Sequence, residues 1–93
     1  PAAAAYYAGR WAAKEAVAKV LGTGIGQYCA WRDIDIRRLS SGQPRVVVSG
    51  AAAVTASRLG INQFHVTISH EGSLACAAVV GERCDNGASD QTA

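Results

Sequence analysis

The chain has 93 residues, a formal net charge of +2 and three cysteines. That length supports one small domain with a modest core, and so low a charge does not argue for nucleic acid. Cys29, Cys76 and Cys84 are odd in number and lack the paired spacing of a zinc site or a CxxC redox motif, which points to reduced thiols and a cytoplasmic setting.

Alanine carries much of the apolar content, and such a core buries little area per residue. Burial between subunits would compensate, so an oligomer is expected. The opening Pro1–Tyr7 is apolar but short, lacks a basic region and leads into Arg10, Lys14 and Glu15. It reads as neither signal peptide nor membrane span.

In chain order, Ala3 to Leu21 is expected to form a helix. Ala13, Val17, Val20 and Leu21 make its apolar stripe, with Lys14 and Lys19 away from it. Gly22 caps it, and Gly22–Gly26 forms a loop of free backbone N–H groups. Trp31 to Arg37 alternates as a strand, with Ile34 and Ile36 on one side and Asp33, Asp35 and Arg37 on the other. A turn at Ser40–Pro44 leads to a β-branched strand, Arg45–Ser49, which should pair back as a hairpin. Ala51–Leu59 is a second helix stopped by Gly60. Phe64–Ser69 is an alternating strand that puts His65 outward, and His70–Ser73 is a turn. Leu74–Val80 is a continuous apolar strand that makes Cys76 a small buried hydrophobe. Asp85–Ala93 is a polar tail expected to be disordered. This order predicts an α+β domain, a small antiparallel sheet with helices packed on it, occupying residues 1–84.

Two groups of basic residues, Arg10/Lys14/Lys19 and Arg32/Arg37/Arg38, are either solvated faces or a docking surface for an acidic or phosphate-bearing partner. Glu15 precedes Lys19 by one turn. The pair reads either as an i, i+4 ion pair or as a magnesium carboxylate beside a phosphate-gripping lysine. The glycine loop follows a helix and lacks the GxxxxGK[ST] form, which excludes a P-loop and a dinucleotide fingerprint. His65 and His70 define no nucleophile–base arrangement.

Taken together, Arg10-Trp11-Ala12-Ala13-Lys14-Glu15-Ala16, Leu21-Gly22-Thr23-Gly24-Ile25-Gly26, Asp33-Ile34-Asp35-Ile36, Gly42-Gln43-Pro44-Arg45 and His65-Val66-Thr67-Ile68-Ser69-His70-Glu71 resemble the holo-acyl-carrier-protein synthase family. These are small bacterial 4′-phosphopantetheinyl transferases. The resemblance implies transfer of the phosphopantetheine arm of coenzyme A to a serine of apo-acyl carrier protein, releasing adenosine 3′,5′-bisphosphate. It implies that Glu15 binds Mg²⁺ and that Lys19 contacts coenzyme A phosphate. By the same resemblance Lys14 handles phosphate or protons, while Gly22, Thr23, Gly24, Pro44 and His70 help hold the nucleotide. It also implies a homotrimer with active sites between subunits, and no nucleic-acid or membrane partner.

Two departures stand out. Gln43 replaces a lysine common in the family's turn, for which Arg45 is the expected substitute. The family's opening strand, G-x-D-x-x-x-x-x-R, supplies a second metal ligand, and nothing in Pro1–Gly9 matches it. An N-terminally incomplete copy of the domain is therefore expected. The alternative is a catalytically inactive module that binds coenzyme A or a carrier protein; a domain of a larger synthase is a third reading.

Overall fold

The computed structural model describes residues 2–85, so the expected disorder of the tail falls almost wholly outside the described residues. Helix α1 spans Ala2–Val20 and α2 spans Gly50–Leu59. Four strands complete the domain: β1 (Ile34–Arg38), β2 (Pro44–Val48), β3 (Gln63–Glu71) and β4 (Leu74–Glu82). The strands form two antiparallel hairpins, β1–β2 and β3–β4, with no ladder joining β2 to β3. The expected single sheet is thus two small ones. Among the described residues, no helix is long and apolar enough to cross a membrane.

The core is built from one face of α1 and the inner face of the first hairpin. Ala13, Val17, Ala18 and Leu21 meet Ile34, Ile36 and Val46, with Cys29, Ala52 and Ala56 closing the sides. Four of those ten residues are alanine, which confirms a thin core and allows backbones to approach closely. Two glycines exploit this. A Cβ at Gly9 would stand 2.8 Å from Ile68 Cγ2 and 2.9 Å from His70 Nε2, and one at Gly81 would stand 2.7 Å from Val20 Cγ1. Helix α1 therefore lies flat along β3–β4, against Phe64, Val66, Ile68, Ala77 and Val79.

Three local expectations change. Trp31–Asp33 is a 3₁₀ turn rather than strand, because Asp33 faces inward instead of outward. Its buried Oδ2 accepts the N–H of Ala30 at 3.1 Å and that of Ala52 at 3.2 Å. The second acceptance caps α2 from across the fold, at an end where Ser49 makes no side-chain cap of its own. His70 is in β3, not in a turn: the chain reverses at Gly72 and Ser73 alone, with Gly72 at φ +59° as a two-residue hairpin loop requires. Cys76 is exposed and Cys29 is the buried thiol. On β4, residues 75, 77, 79 and 81 turn inward, whereas Leu74, Cys76, Ala78 and Val80 face out.

Candidate active site

Helix α1 presents charged side chains on the sides that its apolar stripe leaves open. Lys14 and Glu15 are half-buried and Lys19 is exposed. The i, i+4 ion pair between Glu15 and Lys19 does not form: among the described residues the pairs within 4.0 Å are Arg37–Asp35 and His65–Glu82. Lys14 instead donates from Nζ to the Trp31 carbonyl oxygen at 3.4 Å and lies 4.6 Å from the centre of the Trp31 ring.

The glycine loop is not the amide cradle expected from its sequence. The N–H of Gly22 donates to Lys19 O at 3.0 Å, and those of Thr23 and Gly24 both donate to Ala18 O at 3.3 Å. These amides terminate α1, whose last carbonyls would otherwise be unsatisfied. Gly26 and Cys29 bond to each other, and Thr23 Oγ1 donates to the Gly24 carbonyl at 2.8 Å. A phosphate at Gly22–Gly24 would therefore compete with the helix cap, and it would face the negative end of the helix dipole.

A second cluster gathers several predicted positions with one residue from each of the two basic groups. Arg10, Arg38, Gly42, Pro44, Ile68 and His70 line a cavity of about 220 Å³. Four segments meet there: α1, the end of β1, the β1–β2 turn and β3. The register sets Arg38 opposite Pro44, so Arg38, not Arg45, supplies a positive charge beside the turn where Gln43 replaces lysine. Arg45 lies opposite Arg37, whose charge Asp35 offsets at 2.8 Å. Arg10 stacks on Tyr6 with Cζ 3.7 Å from the ring centre, and its Nε is buried without a hydrogen-bond partner. His70 Nε2 lies 2.8 Å from the Ala5 carbonyl oxygen, so it is the protonated nitrogen and donates there. That bond anchors the ring and leaves Nδ1 as its other polar atom. Arg10 and Arg38 each stood in one of the two basic groups marked in the sequence, but only the fold brings them to the same cavity.

Two features complete the surroundings. The Cys29 thiol is pushed above its ordinary pKa, mainly by burial and with Asp33 adding, while a hydrogen bond with Thr23 acts the other way. It stays a protonated, inert core group. Between the two hairpins, β2 and β3 flank a polar groove of about 830 Å³, lined by 43–46 and 62–67 together with Leu39. Among the described residues, no three His, Cys, Asp or Glu side chains converge to hold a metal.

Comparison with known proteins places the fold in a family. The family model described as the 4′-phosphopantetheinyl transferase superfamily matches residues 1–79. The holo-[acyl-carrier-protein] synthase of Streptomyces avermitilis is 47% identical over 75 residues, covering 81% of this chain and 59% of the relative. That of Edwardsiella ictaluri is 44% identical over 77 residues, covering 83% and 61%. The chain thus spans about three fifths of the length of these relatives. The Helicobacter pylori holo-[acyl-carrier-protein] synthase, solved in complex with coenzyme A, aligns with a TM-score of 0.75 and 31% identity over 84% of this chain and 65% of that one. The Neisseria meningitidis holo-[acyl-carrier-protein] synthase aligns at 0.77 and 36%, over 84% and 62%. This chain belongs to the 4′-phosphopantetheinyl transferase superfamily.

Proposed function

We propose that this chain carries most of a holo-[acyl-carrier-protein] synthase domain. It would move the 4′-phosphopantetheine group of coenzyme A onto a serine hydroxyl of apo-acyl carrier protein and release adenosine 3′,5′-bisphosphate. The observation that carries the proposal is that Lys14, Glu15 and Lys19 do not neutralise one another. Three charges on one helix without an ion-pair partner among the described residues suit a ligand with both phosphates and a cation better than they suit folding.

Glu15 fits a magnesium ion that is shared with substrate. It is a half-buried carboxylate without an ion-pair partner among the described residues, and magnesium commonly takes one or two carboxylates plus water and phosphate oxygens. When bound there, the ion would supply charge neutralisation on the coenzyme A pyrophosphate. The chain's own groups do the rest. Lys19 and Lys14 offset the charge that develops on the leaving phosphate during in-line attack by the carrier serine. Arg10, Arg38 and His70 hold an anionic part of the nucleotide in the cavity that they line beside Gly42 and Pro44. Gly22, Thr23 and Gly24 contribute by fixing the end of α1 under Lys19, not by donating to phosphate.

The remaining parts of the reading are a second metal ligand on an extended segment, a homotrimer and a cytoplasmic setting. The groove between β2 and β3 supports the first, because two strand edges without a ladder face it and one strand would join the hairpins. The exposed row Leu74, Cys76, Ala78 and Val80 supports the second, as an apolar face ready for another copy.

The test is incubation of the full-length protein with apo-carrier protein, coenzyme A and Mg²⁺, reading the mass gained by the carrier. Transfer that disappears with chelator and in Glu15→Gln supports the proposal. Coenzyme A binding that ignores Mg²⁺, without any transfer, would leave the inactive binding module as the correct reading.

A further inference from the structure

Among the charges of the helix motif, Lys14 is the one for which the fold has built a seat. Its Nζ lies 4.6 Å from the Trp31 ring centre, within the range of a cation–π contact, and donates to the carbonyl oxygen of the same residue. Trp11, one turn before Lys14, leans on that indole with ring centres 4.5 Å apart and planes at 46°. Lys14 and Trp31 are 17 residues apart, so tertiary folding makes the seat and not helix periodicity. Among the described residues no carboxylate pairs with the ammonium. One of its three N–H groups is spent on a carbonyl, which leaves donors for something outside the chain. A half-buried cation without a counter-charge is a costly arrangement that an arriving anion relieves.

We propose that Trp31 is a positioning residue: its ring face and carbonyl hold the Lys14 ammonium in place to meet a phosphate oxygen of the substrate. A free lysine loses rotamer freedom when it grips an anion, whereas a seated one has lost it on folding. The identity of the anion rests on the function proposed above; the seat itself does not. The competing explanation is that the lysine stem merely covers the indole, as long charged side chains often do.

The full-length protein carrying Trp31→Leu or Trp31→Phe decides between them. The Lys14 ammonium signal in a ¹H–¹⁵N spectrum should be displaced by the ring current in the wild type, retained near that position in Trp31→Phe and lost in Trp31→Leu. The kcat/KM for coenzyme A should fall about three- to tenfold in Trp31→Leu and recover in Trp31→Phe. In a Lys14→Gln background, Trp31→Leu should add nothing. An undisplaced ammonium signal, or an equal cost of Trp31→Leu with and without Lys14, overturns the proposal. If the wild type transfers nothing to a carrier, the functional reading fails while the ammonium signal still decides the seat. Should Trp31→Leu not fold, the wild-type ammonium signal decides alone: displaced by the ring it supports the seat, undisplaced it overturns it.

Discussion

Asp33 should matter more to folding than any residue at the start of α2 itself. Its carboxylate accepts two main-chain N–H groups, from Ala30 and from the buried Ala52, and its own carbonyl accepts the Ser49 N–H at 2.8 Å. Asp33→Ala removes both side-chain bonds and leaves the Ala52 donor without a partner in a place water reaches poorly. A hydrogen bond to a charged group contributes about 1.5–3 kcal/mol, and a stranded buried donor costs about 1–3 kcal/mol. The two are partly the same loss, so about 2–4 kcal/mol is expected for the substitution. Ser49, at the position where a serine usually caps, makes no cap bond and reaches only the Asp33 carbonyl, from Oγ at 3.4 Å. Ser49→Ala should therefore cost no more than about 0.5 kcal/mol, against the ~1 kcal/mol typical of a working cap. Urea unfolding followed by circular dichroism measures both, with the slope against denaturant unchanged. A serine variant that loses more than the aspartate variant, or an Asp33→Ala loss below about 1 kcal/mol, refutes the long-range cap.

Other outcomes follow from single contacts. Gly9→Ala should lower stability by about 1–2 kcal/mol, even though alanine favours a helix by about 1 kcal/mol. The new methyl would meet Ile68 Cγ2 at 2.8 Å, and a melting temperature that rises would refute the close approach. Arg10→Met should weaken coenzyme A binding by roughly ten- to a hundredfold in calorimetry, with the melting temperature little changed; equal affinity removes Arg10 from the site. With a thiol reagent, Cys29 should be protected under native conditions and react once the chain is unfolded in denaturant; labelling of the native Cys29 would contradict its burial. Because the folded Cys29 thiol has a raised pKa, the unfolded chain releases its proton first as pH climbs. The stability linked to that thiol is thus complete below its unfolded pKa of about 8.5 and is lost above it. Cys29→Ala should flatten that alkaline decline, and an unchanged pH profile would contradict the sign.

Periodicity carried the sequence reading where one face is buried and the other wet. Ile34 and Ile36 were legible for that reason, and so were the α1 stripe and the outward His65. It failed where another interaction outranked the pattern. Asp33 alternates like a surface residue, yet two unsatisfied N–H groups draw it inward. Leu74–Val80 has no polar residue to mark its outer face, so nothing in the string distinguishes exposed Cys76 from its inward neighbours. The glycine loop misled differently, since glycines that free amides for a ligand and glycines that cap a helix look alike until each amide is traced. Arg38 was legible only as one of a basic group; its place beside Pro44 needed the strand register.

One property of the chain connects these results, namely how little side-chain volume separates α1 from the strands beneath it. Larger core residues would add stability but would lift the helix from β3. Lifting it would break the His70–Ala5 bond at 2.8 Å and carry Arg10 away from Arg38 and Pro44. Gly9 marks that constraint most sharply, because it sits under the site and any side chain there pushes on both Ile68 and His70. The same helix that fills the core with Ala13, Val17 and Ala18 also presents Arg10, Lys14 and Glu15, so packing errors and site errors are not separable on it. A thin core is then the condition for a site assembled between one helix and a hairpin turn.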